Sequence, residues 1–136
     1  MDWINDQIAI GNFVDALDVE LLRRSGLSSA LSLDGTLRGK KPIECGLNRI
    51  EIVMLEDAPG NEPYLFRRAV EHLADLVREA SPVLVQCHAG RSRSAVVVAG
   101  YFVKFCGMTS EEALSLVAAK REIAVTPGVE RLLDYL

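Results

Sequence analysis

Short, continuous apolar runs alternate along this chain with longer stretches in which apolar residues recur every three or four positions. That alternation predicts strands interleaved with helices. Residues 8–11, 30–33 and 49–55 are runs of strand length, and residues 83–85 are apolar throughout, as expected of a strand covered on both sides. Asp15 is placed to cap a helix running to Arg24, with Asp18 and Glu20 early, Arg23 and Arg24 late, and Ser25-Gly26 as its stop. Residues 34–42 carry two glycines, a proline and four charged side chains and read as a mobile loop. After the break at 57–61, a helix is predicted from Glu62-Pro63 to about Glu79, with Leu65, Phe66, Ala69, Val70, Leu73, Leu76 and Val77 forming its buried face.

Residues 94–106 are apolar almost all round, so they read as the central helix of the core, ended by Gly107. Thr109 and Glu112 have capping-box spacing and start a helix to about Arg121. Thr126-Pro127 opens a last helix, with Val129, Leu132, Leu133 and Leu136 on one stripe. The expected fold is α/β: a central, mostly parallel sheet flanked by helices, with a helical C-terminal part.

Composition narrows the function. The 136 residues, 49% hydrophobic and 25% charged, fit one folded domain over 1–136. A net charge of −4 argues against a nucleic-acid partner held by a broad basic face. Cys45, Cys87 and Cys106 form neither a disulfide framework nor a Cys/His metal cluster, so no metal or other cofactor is expected and a reducing, cytoplasmic setting fits best. No basic region followed by an apolar run opens the chain, so no secretory signal is expected. The longest apolar stretch, 95–103, stops at Lys104, short of the ~18 residues a membrane span needs, so a soluble protein without a membrane partner is expected, with a monomer as the default. Cys45 and Cys106 read as packing residues, and His72, without a second histidine at ligand spacing, reads as surface.

The segment Gln86-Cys87-His88-Ala89-Gly90-Arg91-Ser92-Arg93-Ser94 places a cysteine at a strand end, then a tight loop, then a helix start. In such a loop successive backbone N–H groups point inward and the helix N-terminus adds its positive dipole end, so His88, Ala89, Gly90, Arg91, Ser92 and Arg93 are candidates for binding a phosphate. An electropositive loop also favours thiolate over thiol, the form in which Cys87 would be a nucleophile. Arg93 can offer two parallel hydrogen bonds to phosphoryl oxygens, a geometry lysine lacks.

Cys87, Gly90, Arg93 and Ser94 match the signature His-Cys-x-x-Gly-x-x-Arg-Ser/Thr, so the sequence resembles the dual-specificity branch of the protein tyrosine phosphatases. Residues 8–12 look like that family's opening strand and 113–127 like its closing helices. The resemblance implies a small, single-domain phosphatase-like fold and a phosphocysteine intermediate on Cys87. It also implies a general acid after the third strand, for which Asp57 is the match and Glu56 the fallback. Ser94 matches the hydroxyl that eases departure of the cysteine sulfur. The implied partner is a phosphorylated protein, dephosphorylated at tyrosine or at serine and threonine. One position departs from the pattern, since Gln86 stands where the family usually has histidine.

Three other readings stay open at this level. Gln86 is the one residue favouring a pseudophosphatase that binds phosphate without turnover. His88 and Arg91 occupy loop positions that carry lysines in phosphoinositide-directed members, which favours a small polyphosphorylated substrate. A sulfurtransferase or arsenate reductase also uses a cysteine in an anion-binding loop, but this chain lacks the paired cysteines a reductase would want.

Overall fold

The computed structural model describes residues 1–136. Strands β1 (Asp2–Trp3), β2 (Ile8–Gly11), β3 (Ser29–Ser32), β4 (Arg49–Ile52) and β5 (Val83–Gln86) form a single sheet in the order β1-β2-β5-β3-β4. The pairs β2·β5, β5·β3 and β3·β4 are parallel, and only the edge pair β1·β2 is antiparallel. The expected α/β architecture is therefore present. Helices α1 (Phe13–Leu17) and α2 (Val19–Arg24) connect β2 to β3, α3 (Pro63–Ala80) connects β4 to β5, and α4 (Arg93–Cys106) and α5 (Ser110–Lys120) follow β5.

The strand between β2 and β3 is β5, and its alternating side chains serve two cores. Val83 and Val85 face the larger one, built with Phe66, Leu73, Val96 and Phe102 of α3 and α4, while Leu84 faces the smaller one with Leu22, Leu27 and Leu37. Both faces are covered, which is why this strand is apolar throughout. Its carboxyl end lies beside those of β2 and β3, and the chain emerges there into residues 87–92 before entering α4. The crevice outside strand carboxyl ends, where strand order reverses, is the usual ligand position in open α/β sheets.

Several local expectations change. The single helix capped by Asp15 is two helices: Asn12 caps α1 in a capping box with Asp15, and Asp18 breaks the helix at φ −89°, ψ 87° and caps α2. The strand expected over 49–55 ends at Ile52, although the N–H groups of Val53 and Leu55 still bond to Ser32 and Leu33. The loop at 34–42 is anchored at its start, where Leu37 is fully buried. The last helix is a 3-10 segment over Val129–Tyr135, entered through Gly128 at φ +95°, with Val129, Leu132 and Leu133 buried as its stripe implied. Cys106 is exposed at the end of α4 instead of packed, while Cys45 is buried. The edge strand β1 was not legible, because two residues cannot show an alternation.

Helix α3 packs tightly on α4 at Gly100, where a Cβ would stand 2.8 Å from Val70 Cγ2 and 3.0 Å from Phe66 Cζ. Alanine gains about 0.8–1.0 kcal/mol of helix propensity over glycine, but overpacking a filled core costs about 1–3 kcal/mol. Gly100→Ala is therefore expected to lower the melting temperature, measured by circular dichroism.

Candidate active site

Residues 87–93 run from the end of β5 to the start of α4 around a cavity of about 180 Å³ lined by Cys87, His88, Ala89, Arg91, Ser92, Arg93, Asp57 and Ala124. The six N–H groups of residues 88–93 have no acceptor within the protein. Their direction follows from the carbonyls. In a trans peptide the C=O of one residue points opposite to the N–H of the next. The carbonyl of Cys87 accepts from Gln86 Nε2 at 3.0 Å, that of His88 from the Phe13 N–H at 3.0 Å, that of Gly90 from Arg121 Nε at 2.6 Å and that of Arg91 from the Ala124 N–H at 3.0 Å. With these carbonyls held from outside, the amides of His88, Ala89, Arg91 and Ser92 turn to the inside of the loop. Ser92 is the N-cap of α4 but makes no side-chain cap bond; its hydroxyl instead accepts from the Thr126 N–H at 3.0 Å. At the positive end of this 14-residue helix the Arg93 amide is left without an acceptor, and that of Ser94 turns to the Cys87 sulfur.

Cys87 is almost fully buried, and its Sγ lies 3.2 Å from Ser94 Oγ and accepts from the Ser94 N–H at 3.5 Å. Arg93 Nη1 donates to the Leu55 carbonyl at 3.0 Å, while its Nε is buried without a partner. One side of the guanidinium is thereby fixed and further donors remain for a ligand.

Asp57 lines the cavity from the 56–61 loop, and Glu56 does not. Asn61 shapes that loop, accepting from the Glu56 N–H at 2.7 Å and donating to the Glu56 carbonyl at 2.7 Å. Gly128 closes on it from the other side, since a Cβ there would stand 3.0 Å from Pro59. Of the residues named from the sequence, Asp57, Cys87, His88, Ala89, Arg91, Ser92 and Arg93 line the cavity, Gly90 and Ser94 belong to the same loop and helix start without lining it, and the fallback Glu56 stands outside it.

The sequence did not point to Phe13, Arg121 or Ala124. They lie far from the loop along the chain, and their contribution is a backbone or guanidinium contact that no local spacing announces. Phe13 also stacks face to face on His88, with ring centroids 4.5 Å apart. Nor did it point to the buried polar group behind the loop, where Gln86, Ser32, Asp34 and Thr36 bond to one another. Burial alone would push the Asp34 carboxyl up, but the bonds from the Thr36 N–H, the Gln86 amide and the Thr36 hydroxyl, with the Arg93 charge nearby, outweigh it and hold Asp34 below the usual carboxylate range.

Gly90 adopts φ +68°, and a Cβ there would lie 2.6 Å from the Gly11 carbonyl oxygen, a backbone atom that cannot swing away. Gly90→Ala is expected to weaken inorganic phosphate binding more than tenfold while the fold persists, by isothermal titration with circular dichroism as control.

Comparison with known proteins agrees with this geometry. A family model described as the dual specificity phosphatase catalytic domain matches residues 11–135. Dual specificity protein phosphatase 1 of Arabidopsis thaliana is 29% identical over 121 residues, 89% of this chain and 60% of the relative. Dual specificity protein phosphatase 22 of Mus musculus is 31% identical over 124 residues, 91% of this chain and 66% of the relative, so the chain spans roughly three-fifths to two-thirds of these curated relatives. Among solved structures, human DUSP28 superposes with a TM-score of 0.85 at 23% identity, covering 99% of this chain and 94% of that one. A mouse putative dual specificity phosphatase, solved with zinc tungstate, superposes with a TM-score of 0.84 at 25% identity, covering 98% and 84%. With nearly all of its length matched by the family model and the Cys87 loop built as described, the chain belongs to the dual specificity phosphatase catalytic domain family.

Proposed function

We propose that this chain is a cysteine-dependent phosphomonoester hydrolase that removes phosphate from phosphotyrosine and from phosphoserine and phosphothreonine in proteins. The observation that carries the reading is the run of unpartnered main-chain amides from residue 88 to residue 93, on a loop that lines one cavity with Cys87 and with Arg93, whose Nε is also unpartnered. Donors fixed in advance around a tetrahedral dianion stabilise the charge on its equatorial oxygens without reorganising as the reaction proceeds.

In the first step Cys87 Sγ attacks phosphorus, an S–P bond forms and the P–O bond to the leaving group breaks. Asp57 delivers a proton to the departing oxygen, which a serine alkoxide needs more than a phenoxide does. In the second step water attacks the phosphocysteine, Asp57 takes its proton, and the electron pair of the broken S–P bond returns to sulfur. The Ser94 hydroxyl, 3.2 Å from that sulfur, stabilises the thiolate as it leaves.

Neither the pseudophosphatase nor the polyphosphate reading gains a specific observation. Gln86 is fully buried behind Cys87 and does not line the cavity, so exchanging the family's usual histidine for glutamine removes no group from it. Arg91 does line the cavity, but Arg38, Lys40 and Lys41 do not, and the ring of His88 is engaged with Phe13. A phosphoprotein substrate therefore remains the working class. No helix is long and apolar enough to cross a membrane.

Cys87→Ser is expected to lose essentially all turnover of para-nitrophenyl phosphate while still binding vanadate; appreciable residual turnover would remove the covalent step. Asp57→Asn should cost about 10²–10⁴-fold with alkyl and phenyl phosphates and much less with activated aryl esters. A uniform loss across leaving groups, read from kcat/KM, would reassign Asp57 to loop structure.

A further inference from the structure

We propose that Asp34 is a positioning residue of the active site: by fixing which way round the Gln86 side-chain amide sits, it sets the Cys87–His88 peptide that opens the anion cradle. The inference rests on the reading of residues 87–93 as an oxyanion site. Gln86 is fully buried at the end of β5, and its two amide ends meet different partners. Oε1 accepts from Ser32 Oγ at 2.7 Å. Nε2 faces Asp34 Oδ1 at 2.8 Å, the Cys87 carbonyl at 3.0 Å and Thr36 Oγ1 at 3.1 Å.

The Ser32 hydroxyl can donate or accept, so it is indifferent to an exchange of oxygen and nitrogen in the amide, whereas the Thr36 hydroxyl gives its one proton to Asp34 Oδ2 and through Asp34 is left an acceptor. An ionised carboxylate only accepts. Asp34 therefore demands the N–H₂ end on its side, and the Cys87 carbonyl, on that same side, receives the second proton. The exchanged orientation would set Oε1 against both the carboxylate and the carbonyl. It would also release the peptide whose N–H, that of His88, is the first donor of the loop.

Asp34 is itself held for this task. Its Oδ1 accepts from the Thr36 N–H at 2.9 Å and its Oδ2 from the Thr36 hydroxyl at 2.8 Å, across a tight turn in which Gly35 has φ +84°. A carboxylate accepting a main-chain N–H and an amide N–H₂ stays ionised despite partial burial. Residues 34–36 lie 50 positions or more before Gln86 in sequence, so the turn after β3 acts directly on the end of β5.

The experiment is a mutant cycle read by inorganic phosphate affinity and by para-nitrophenyl phosphate kinetics. Asp34→Ala and Gln86→Leu should each weaken phosphate binding and lower kcat on the order of tenfold, the effect of losing one buried hydrogen bond. The double variant should be no worse than Gln86→Leu alone, because Asp34 acts only through Gln86. Asp34→Asn, which keeps an oxygen toward Gln86 Nε2, should recover most of the loss, whereas Asp34→Ser, whose hydroxyl no longer dictates the amide's orientation, should not. Should Asp34→Ala fail to fold, the contrast between Asn and Ser gives the same answer. Additive losses in the cycle, or wild-type affinity and kcat in Asp34→Ser, would overturn the proposal. An inactive wild-type chain would overturn the phosphatase reading instead, and the phosphate affinities would still judge the role of Asp34.

Discussion

The outward restraint of four carbonyls in the Cys87 loop decides the rest of the site. A peptide group cannot turn its N–H toward a ligand without turning the neighbouring C=O away, and a buried carbonyl turned away needs a donor where it arrives. The donors come from β5, from the start of α1, from the residue after α5 and from the segment that follows it. A loop of seven residues thus draws its shape from both ends of the chain. This also explains the small space at Gly90, whose backbone is pressed against the end of β2 while Arg121 bonds its carbonyl.

Chemistry and packing meet at β5. Because this strand lies between β2 and β3 and is covered on both faces, its carboxyl end is among the most constrained points of the sheet. Cys87, one residue beyond it, inherits that rigidity. The helix that follows is equally fixed, since α4 is buried along most of its length, and its Ser94 N–H is held against the Cys87 sulfur. Ser94 belongs to that helix, so the distance between its hydroxyl and the Cys87 sulfur is set by the packing of α4 on the sheet.

Behind Cys87 the fold holds a cluster of polar groups beside cores that are otherwise apolar. Ser32 and Gln86 are both fully buried, and their polar ends are matched to each other and to Asp34 and Thr36. A satisfied network of this kind carries little penalty and restricts the number of arrangements its members can take. The neighbouring elements differ in this respect: the 56–61 loop that carries Asp57 is exposed and held chiefly by Asn61 and by contact with Gly128. The cavity therefore joins a tightly held loop at Cys87 to a more loosely tethered one at Asp57.

The layered α/β fold, the helices α3, α4 and α5, and the Cys87 loop were legible from the sequence, because each rests on short-range rules: periodicity, capping chemistry, and glycine between a strand and a helix. Asp57 and Ser94 were named by resemblance and lie beside the loop. What the sequence left hidden depends on distance along the chain. The split of α1 from α2 came from a single residue, Asp18, whose cap bond competes locally with helix propagation. The C-terminal stripe was read correctly as buried, but helical spacing over seven residues does not separate an α-helix from the tighter 3-10 form that Gly128 introduces. Phe13, Asp34, Arg121 and Ala124 carry no motif of their own, since each acts by placing one donor or acceptor against a residue more than thirty positions away. Short-range chemistry in the sequence determined which loop joins a strand end to a helix start with its amides unpartnered, and only the tertiary structure decided which groups hold that loop open, because a carbonyl's partner is chosen by proximity in space.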